Sequence, residues 1–181
     1  DLVFVDDLYY VTPVSYHPIL KHPQALAHLL AICNERFGAS SSGQGRRRLF
    51  VNRSTAHPRH ITNNDAVKFI LEEYGFEEIF PESLSFAQQR QAFHEASHVV
   101  GIMGAAMTNT VFCPPDGHIL HLAPNGWVEP FYWDLAAMRG QSYNTFFGVP
   151  TGDTGQIHQC SFEVSIEQLC AWLERVAPKP A

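Results

Sequence analysis

His98-Val-Val-Gly-Ile-Met-Gly-Ala-Ala-Met-Thr-Asn109 reads as a strand handing over to a helix. The β-branched run His98 to Ile102 suits a buried strand, Gly101 and Gly104 end it, and a short helix is expected from near Gly104. In an open parallel sheet, ligands collect outside the carboxyl ends of the strands, so this turn is the first place to look for chemistry. Small side chains at Gly104, Ala105 and Ala106 let a ligand approach the backbone. Free amides at a helix start favour a negative diphosphate, and Thr108 and Asn109 add side-chain hydrogen bonds. The same small residues also serve tight packing of a helix on its strand.

Working outward, the pattern alternates strand and helix. Upstream, Gln24 to Phe37 carries Leu26, Leu29, Leu30 and Ile32 near helical spacing, and Arg48 to Asn52 reads as a strand. Asn63 or Asn64 caps a helix that runs to Gly75, Phe76 to Phe80 is a strand, and a helix opens at Ser83 or Ser85 and ends about Ala96. Downstream come a strand at Gly117 to Leu122, a short helix at Tyr132 to Met138, a strand at Ser142 to Val149 and an amphipathic helix at Ile166 to Val176. This order implies βαβ units, hence an α/β fold: a Rossmann-like open parallel sheet with helices on both faces. Residues 1–45 read as a connector, with a strand at Leu2 to Val5, a segment punctuated by Pro13, Pro18 and Pro23, a helix and a flexible Ser/Gly loop. Residues 46–181 form the Rossmann-like domain. The abrupt apolar start after Asp1 suggests a piece of a longer protein.

Composition narrows the class. At 181 residues, 45% hydrophobic and 17% charged, the chain can bury one core, and its net charge of −6 supplies no field for a polynucleotide. The longest apolar runs fall short of the ~20 residues that span a bilayer. Cys33, Cys113, Cys160 and Cys170 are scattered without a CxxC pair and read as free thiols.

The ordered series RLFVNR (48–53), the basic pair Arg59 and His60, YGFEEIFPESLSFAQQ (74–89), VVGIMGAAMTNTVFCPPDG (99–117) and HILHLAP (118–124) resembles the conserved half of glycosyltransferase family 61, which includes capsular polysaccharide enzymes. The resemblance covers about Arg48 to Gly148. It implies one half of a two-domain GT-B enzyme, a nucleotide-sugar donor with a UDP-sugar favoured, a glycan acceptor, inversion at the anomeric carbon and no required cofactor or metal. A separate N-terminal domain would complete the cleft and supply the general base, so the isolated chain would be inactive. The implied setting is cytoplasmic, or peripheral at the inner face of the membrane. Arg53 matches the family's strand-terminal arginine and would neutralise the departing diphosphate together with Gly104, Ala105, Ala106, Thr108 and Asn109. Arg59, His60 and His121 are further candidate donor contacts.

Two positions depart from the family pattern. Met103 stands where many relatives carry His, and His121 stands where they usually carry Glu. A thioether neither donates to a phosphate nor acts as a base. These departures support an alternative reading as a catalytically inactive nucleotide-binding or scaffold domain. A second alternative comes from His94-Glu95-Ala96-Ser97-His98, which spells the HExxH pattern of zinc metalloproteases. A strand beginning immediately after His98 would make the two imidazoles diverge. Trp127, Tyr132 and Trp133 are aromatic candidates for stacking on a base or sugar.

Overall fold

The computed structural model describes residues 7, 13, 15–38, 47–54, 58–152 and 155–180. The expected strand Leu2 to Val5 and the Ser/Gly loop 39–45 lie outside the described residues. In chain order the elements are α1 (Pro23–Phe37), β1 (Arg47–Val51), α2 (Asn64–Glu73), β2 (Glu77–Ile79), α3 (Phe86–His94), β3 (Ala96–Ile102), β4 (His118–Pro124), α4 (Pro130–Arg139), β5 (Ser142–Thr151), β6 (Ser161–Glu163) and α5 (Ile166–Val176). They build a six-stranded sheet in the order β2-β1-β3-β4-β5-β6. The first five strands run parallel and β6 pairs antiparallel with β5. No described helix is long and apolar enough to cross a membrane. All four cysteines are free.

Alternation along each strand divides the apolar side chains between two layers, because successive residues face opposite sides of a sheet. Phe50, Val100, Ile102, Leu120 and Leu122 join Val67 and Leu71 of α2 and Leu169, Trp172 and Leu173 of α5. Leu49, Val51, Val99, Ile119 and Ala123 instead meet Ala92 and Phe93 of α3, Met107 and Tyr132. Helices therefore cover both faces, as the βαβ pattern requires, and this is the Rossmann-like α/β arrangement.

Strand order reverses at β1. The chain first moves outward to β2 and then returns past β1 to β3. Connections leave β1 and β3 in opposite directions, which opens a crevice at their carboxyl ends. Both strands lead into it, β1 through Asn52 and Arg53 and β3 through Met103 and Gly104.

The sequence misjudged the element after β3. A 3₁₀ helix, Ala105–Phe112, occupies the place of the expected α-helix. Side chains close its tight turns, since Asn109 Nδ2 donates to the Ala106 carbonyl at 3.1 Å and Thr110 Oγ1 to the Met107 carbonyl at 2.8 Å. Met107 is anchored at the same time. Its sulfur lies where a side chain at Gly101 would project, so that glycine serves packing of the turn on the strand. The short antiparallel strand β6 was also not anticipated. It is three residues long and continues a sheet whose other strands are parallel, so it leaves no βαβ signature.

β6 docks because β5 has no side chain at Gly148. A Cβ there would meet the Glu163 carbonyl oxygen and lie 2.7 Å from the Phe162 ring. Backbone cannot yield as a flexible side-chain tip can. Gly148→Ala is therefore expected to cost roughly 1–3 kcal/mol, as overpacking does, and to lower the melting temperature by about 2–4 °C for each kcal/mol. Thermal unfolding of the two proteins checks this, and equal midpoints would show that β6 does not depend on the close approach.

Candidate functional site

Two arginines arrive at the crevice from different parts of the chain. Asn52, buried at the exit of β1, donates through Nδ2 to Asn64 Oδ1 at 2.9 Å and Glu78 Oε1 at 2.6 Å, while its own Oδ1 accepts the Arg53 amide at 2.8 Å. The backbone from which the Arg53 side chain departs is thus pinned. Arg59 comes from the following loop. Its Nη1 donates to the His158 carbonyl, and its guanidinium lies 4.4 Å from the Trp127 ring centre, a cation–π contact.

Both guanidinium groups close on Gly104. A Cβ at that position would lie 2.6 Å from Arg53 Nη2 and 2.7 Å from Arg59 Nη2. Only a residue without a side chain admits both cations so close to the turn's backbone. No carboxylate among the described residues pairs with either arginine. Arg59 is depressed to about 10 by burial first and by the Arg53 charge second, so at neutral pH it remains a cation that is held next to another cation. Its Nε is buried with no acceptor. Like charges in a half-buried cleft with unspent donors favour an anion between them.

A hollow lies on either side of Ala105. One, of about 340 Å³, includes Arg59, Gly104, Thr108, Trp127, Glu129 and Tyr132 in its lining. The other, of about 390 Å³, is formed by Arg53, Pro81, Glu82, Gln89, Ala106 and Asn109 together with Ala105. The first is aromatic and the second is rich in amides. Tyr132, pushed up to about 12 chiefly by burial, keeps its proton, and Thr108 lines the same hollow.

The sequence-derived residues separate in space. Arg53, Arg59, Gly104, Ala105, Ala106, Thr108 and Asn109 come together. Asn109 reaches the second hollow already engaged, donating to Gln89 Oε1 at 2.8 Å. His60 lies outside both hollows, with Nδ1 3.0 Å from Ser161 Oγ and its carbonyl accepting the Phe162 amide. His121 is 1% exposed, between the rings of Tyr132 at 4.7 Å and Tyr143 at 5.2 Å. It supports Tyr132 from behind. Trp133 is exposed and lines neither hollow. Glu82, Gln89, Glu129 and Phe131 were not singled out in the sequence, since nothing local distinguishes them from ordinary loop and helix residues.

The HExxH pattern does not form a metal site. His94 ends α3, Glu95 caps it, and His98 lies on β3. His98 Nε2 faces the Val176 carbonyl at 3.0 Å, Nδ1 faces Ser97 Oγ at 2.8 Å, and its ring stacks on His118 at 4.9 Å. Among the described residues no three His, Cys, Asp or Glu side chains are grouped as metal ligands. The physical reason is the one the spacing suggested: a helix-to-strand junction separates the imidazoles.

A doubly wound α/β domain whose sheet ends in a cleft with two arginines belongs to the class of folds that bind ligands at a topological switch point. The family model for glycosyltransferase 61 matches residues 2–120, more than half of the chain. The chain belongs to glycosyltransferase family 61. The match begins well before Arg48, where the motif resemblance began, and takes in α1. Comparison with curated proteins gives no match.

His121 carries a testable consequence. Burial lowers its proton affinity from an ordinary 6.5 to about 3. The unfolded chain binds that proton as pH falls below 6.5 and the folded chain does so only near 3, so stability is fully present above 6.5 and is lost between the two values. The loss attributable to this ring is on the order of 4 kcal/mol. Urea midpoints measured at pH 7 and pH 4 should fall less in His121→Phe than in the wild type. Identical slopes would mean that His121 is not held neutral.

Proposed function

We propose that this domain binds the nucleotide-sugar donor of an inverting glycosyltransferase and stabilises the departing diphosphate. The observation that carries the reading is the convergence of Arg53 and Arg59 on Gly104 with no carboxylate between them. A nucleoside diphosphate supplies the missing negative charge. Among the described residues the amides of Gly104, Ala105 and Ala106 have no acceptor in the chain and would add to its hydrogen bonds. We assign the nucleoside to the aromatic hollow, where Trp127, Phe131 and Tyr132 offer ring faces and Glu129 a carboxylate for ribose hydroxyls. The sugar goes to the hollow of Glu82, Gln89 and Asn109, whose polar groups suit hydroxyls. The diphosphate crosses Ala105, the residue both hollows share.

In the reaction, an acceptor hydroxyl attacks the anomeric carbon as the bond to the β-phosphate oxygen breaks, and charge grows on that oxygen. Arg53 and Arg59 are already oriented toward where it develops, so little reorganisation is needed. The proton of the acceptor hydroxyl passes to a base. On this reading that base and the acceptor, a surface glycan of the capsular type, belong to a facing N-terminal domain in a GT-B arrangement. The donor class favoured is a UDP-sugar, and the setting is cytoplasmic, at or near the inner face of the membrane. A binding domain without catalysis is the second reading, favoured by the departures at Met103 and His121.

Arg53→Ala is expected to weaken UDP binding by about 1.5–3 kcal/mol, the cost of losing a charged hydrogen-bond partner. Calorimetry measures this directly, and undiminished affinity would remove Arg53 from the site.

The 181-residue chain alone is expected to bind UDP without transferring sugar, while a two-domain form turns over. Robust transfer by the chain alone would exclude the facing-domain base. Binding without turnover in the two-domain form would leave the non-catalytic reading standing.

A further inference from the structure

A third hollow, of about 390 Å³, lies beneath α1, walled by α1, α3, the segment 112–114 and the end of α4. α1 contributes Ala27, Leu30, Ala31 and Asn34, and the other wall includes Arg90 and His94 of α3, Cys113, and Arg139 at the end of α4. Two arginines and a histidine line it, and no aspartate or glutamate does. In a chain that carries 18 acidic residues against 12 lysines and arginines, the absence of a carboxylate here is not a shortage of supply.

Arg90 is only 2% exposed. Its Nη2 donates to Asn34 Oδ1 and to the Gly38 carbonyl, each at 2.7 Å. Both acceptors are neutral. Nε and Nη1 have no acceptor among the described residues, and no carboxylate pairs with the group. Arg139 donates from Nη2 to the Cys113 carbonyl at 3.1 Å, and its Nε is buried with no partner. Lys21 and Arg47, by contrast, have counter-charges, Asp134 at 3.0 Å for the first and Glu77 and Glu95 for the second, whereas Arg48, Arg53 and Arg59 share with Arg90 and Arg139 the lack of a carboxylate partner among the described residues. An unneutralised guanidinium in the interior is costly, and an anion with acceptor oxygens removes that cost.

We propose that this hollow is a second anion site, distinct from the Arg53–Arg59 cleft, that takes a small oxyanion, a phosphate or a carboxylate group. Arg90 and Arg139 supply the unspent N–H donors, and the apolar side chains of α1 close one wall. None of its lining residues lines either hollow at Ala105. Adjacent residues on α3 nevertheless serve different cavities, Gln89 the sugar-side hollow and Arg90 this one. An occupant bound to Arg90 and Arg139 would tie α1, through Asn34, to α3 and α4.

The test uses the 181-residue chain carrying Arg53→Ala, which weakens the other cleft. Inorganic phosphate and, separately, succinate are titrated at constant ionic strength while the side-chain Nε–H resonances of Arg90 and Arg139 are followed by NMR. A saturable shift of both resonances with one common dissociation constant is expected, with the tighter of the two anions naming the chemistry. Arg139→Gln is expected to weaken that binding at least tenfold. Resonances that stay unmoved by either anion up to about 50 mM, or that shift without saturating, overturn the proposal. So does a shift that is saturable but unchanged in Arg139→Gln. The resonance measurement needs no substitution in the hollow itself and stands even if Arg139→Gln does not fold.

Discussion

Two like charges facing one glycine are the constraint on which the candidate site depends. Arg53 and Arg59 repel each other, and burial of Arg59 adds to the cost of keeping it charged. The fold nevertheless holds both guanidinium groups against the backbone of Gly104. The chain meets the cost with neutral partners: the Trp127 ring face beneath Arg59, the His158 carbonyl, and the Asn52 side chain that fixes the strand exit before Arg53. None of these cancels charge. Neither guanidinium is ion-paired within the described residues, although Glu82 and Glu129 line the hollows on either side.

The same geometry explains the small residues of the turn. Gly101 and Gly104 are three residues apart and look equivalent in the sequence, but they answer different demands. Gly101 leaves room above the sheet for the Met107 sulfur and thereby seats the 3₁₀ helix. Gly104 leaves room for the arginines. Packing of the turn and the approach of the arginines divide the glycines between them, and the tight winding sets where Ala105 and Ala106 present their amides. The helix dipole expected at this turn is joined by two full charges, and a full charge outweighs the partial one at a helix end.

Much of the architecture was legible because periodicity reports burial. β1, β3, β4 and the helices α1, α2, α3 and α5 fall within a residue or two of where alternation, caps and glycine stops placed them. The short helix after β3 was legible but its 3₁₀ winding was not, since that goes with a pair of side-chain-to-carbonyl bonds from Asn109 and Thr110 and a long-range contact with Gly101. In the site, the turn residues could be found from the strand-turn pattern, and Arg53 from the family resemblance. Arg59 was visible only as one of a basic pair, and what separates it from His60 is tertiary: it stacks on Trp127, some 68 positions away in sequence by the difference 127 − 59, whereas His60 turns to Ser161. The unpaired Arg90 and Arg139 left no trace in the sequence, because an absent counter-charge is a property of folded neighbours.

The two departures from the family pattern take on a different weight once their surroundings are known. Met103 is 1% exposed and packs in the apolar layer with Val51, Phe93 and Met107, so that side chain faces the interior and not the arginines. His121 shares that layer's side of the sheet and presents its ring to Tyr132 and Tyr143. A neutral imidazole is stacked there at the cost of one unsatisfied Nδ1. Both positions act on the cleft through what they support, Met103 through the seat of the 3₁₀ helix and His121 through Tyr132. The charge that defines the cleft lies with Arg53 and Arg59, and neither substitution removes it.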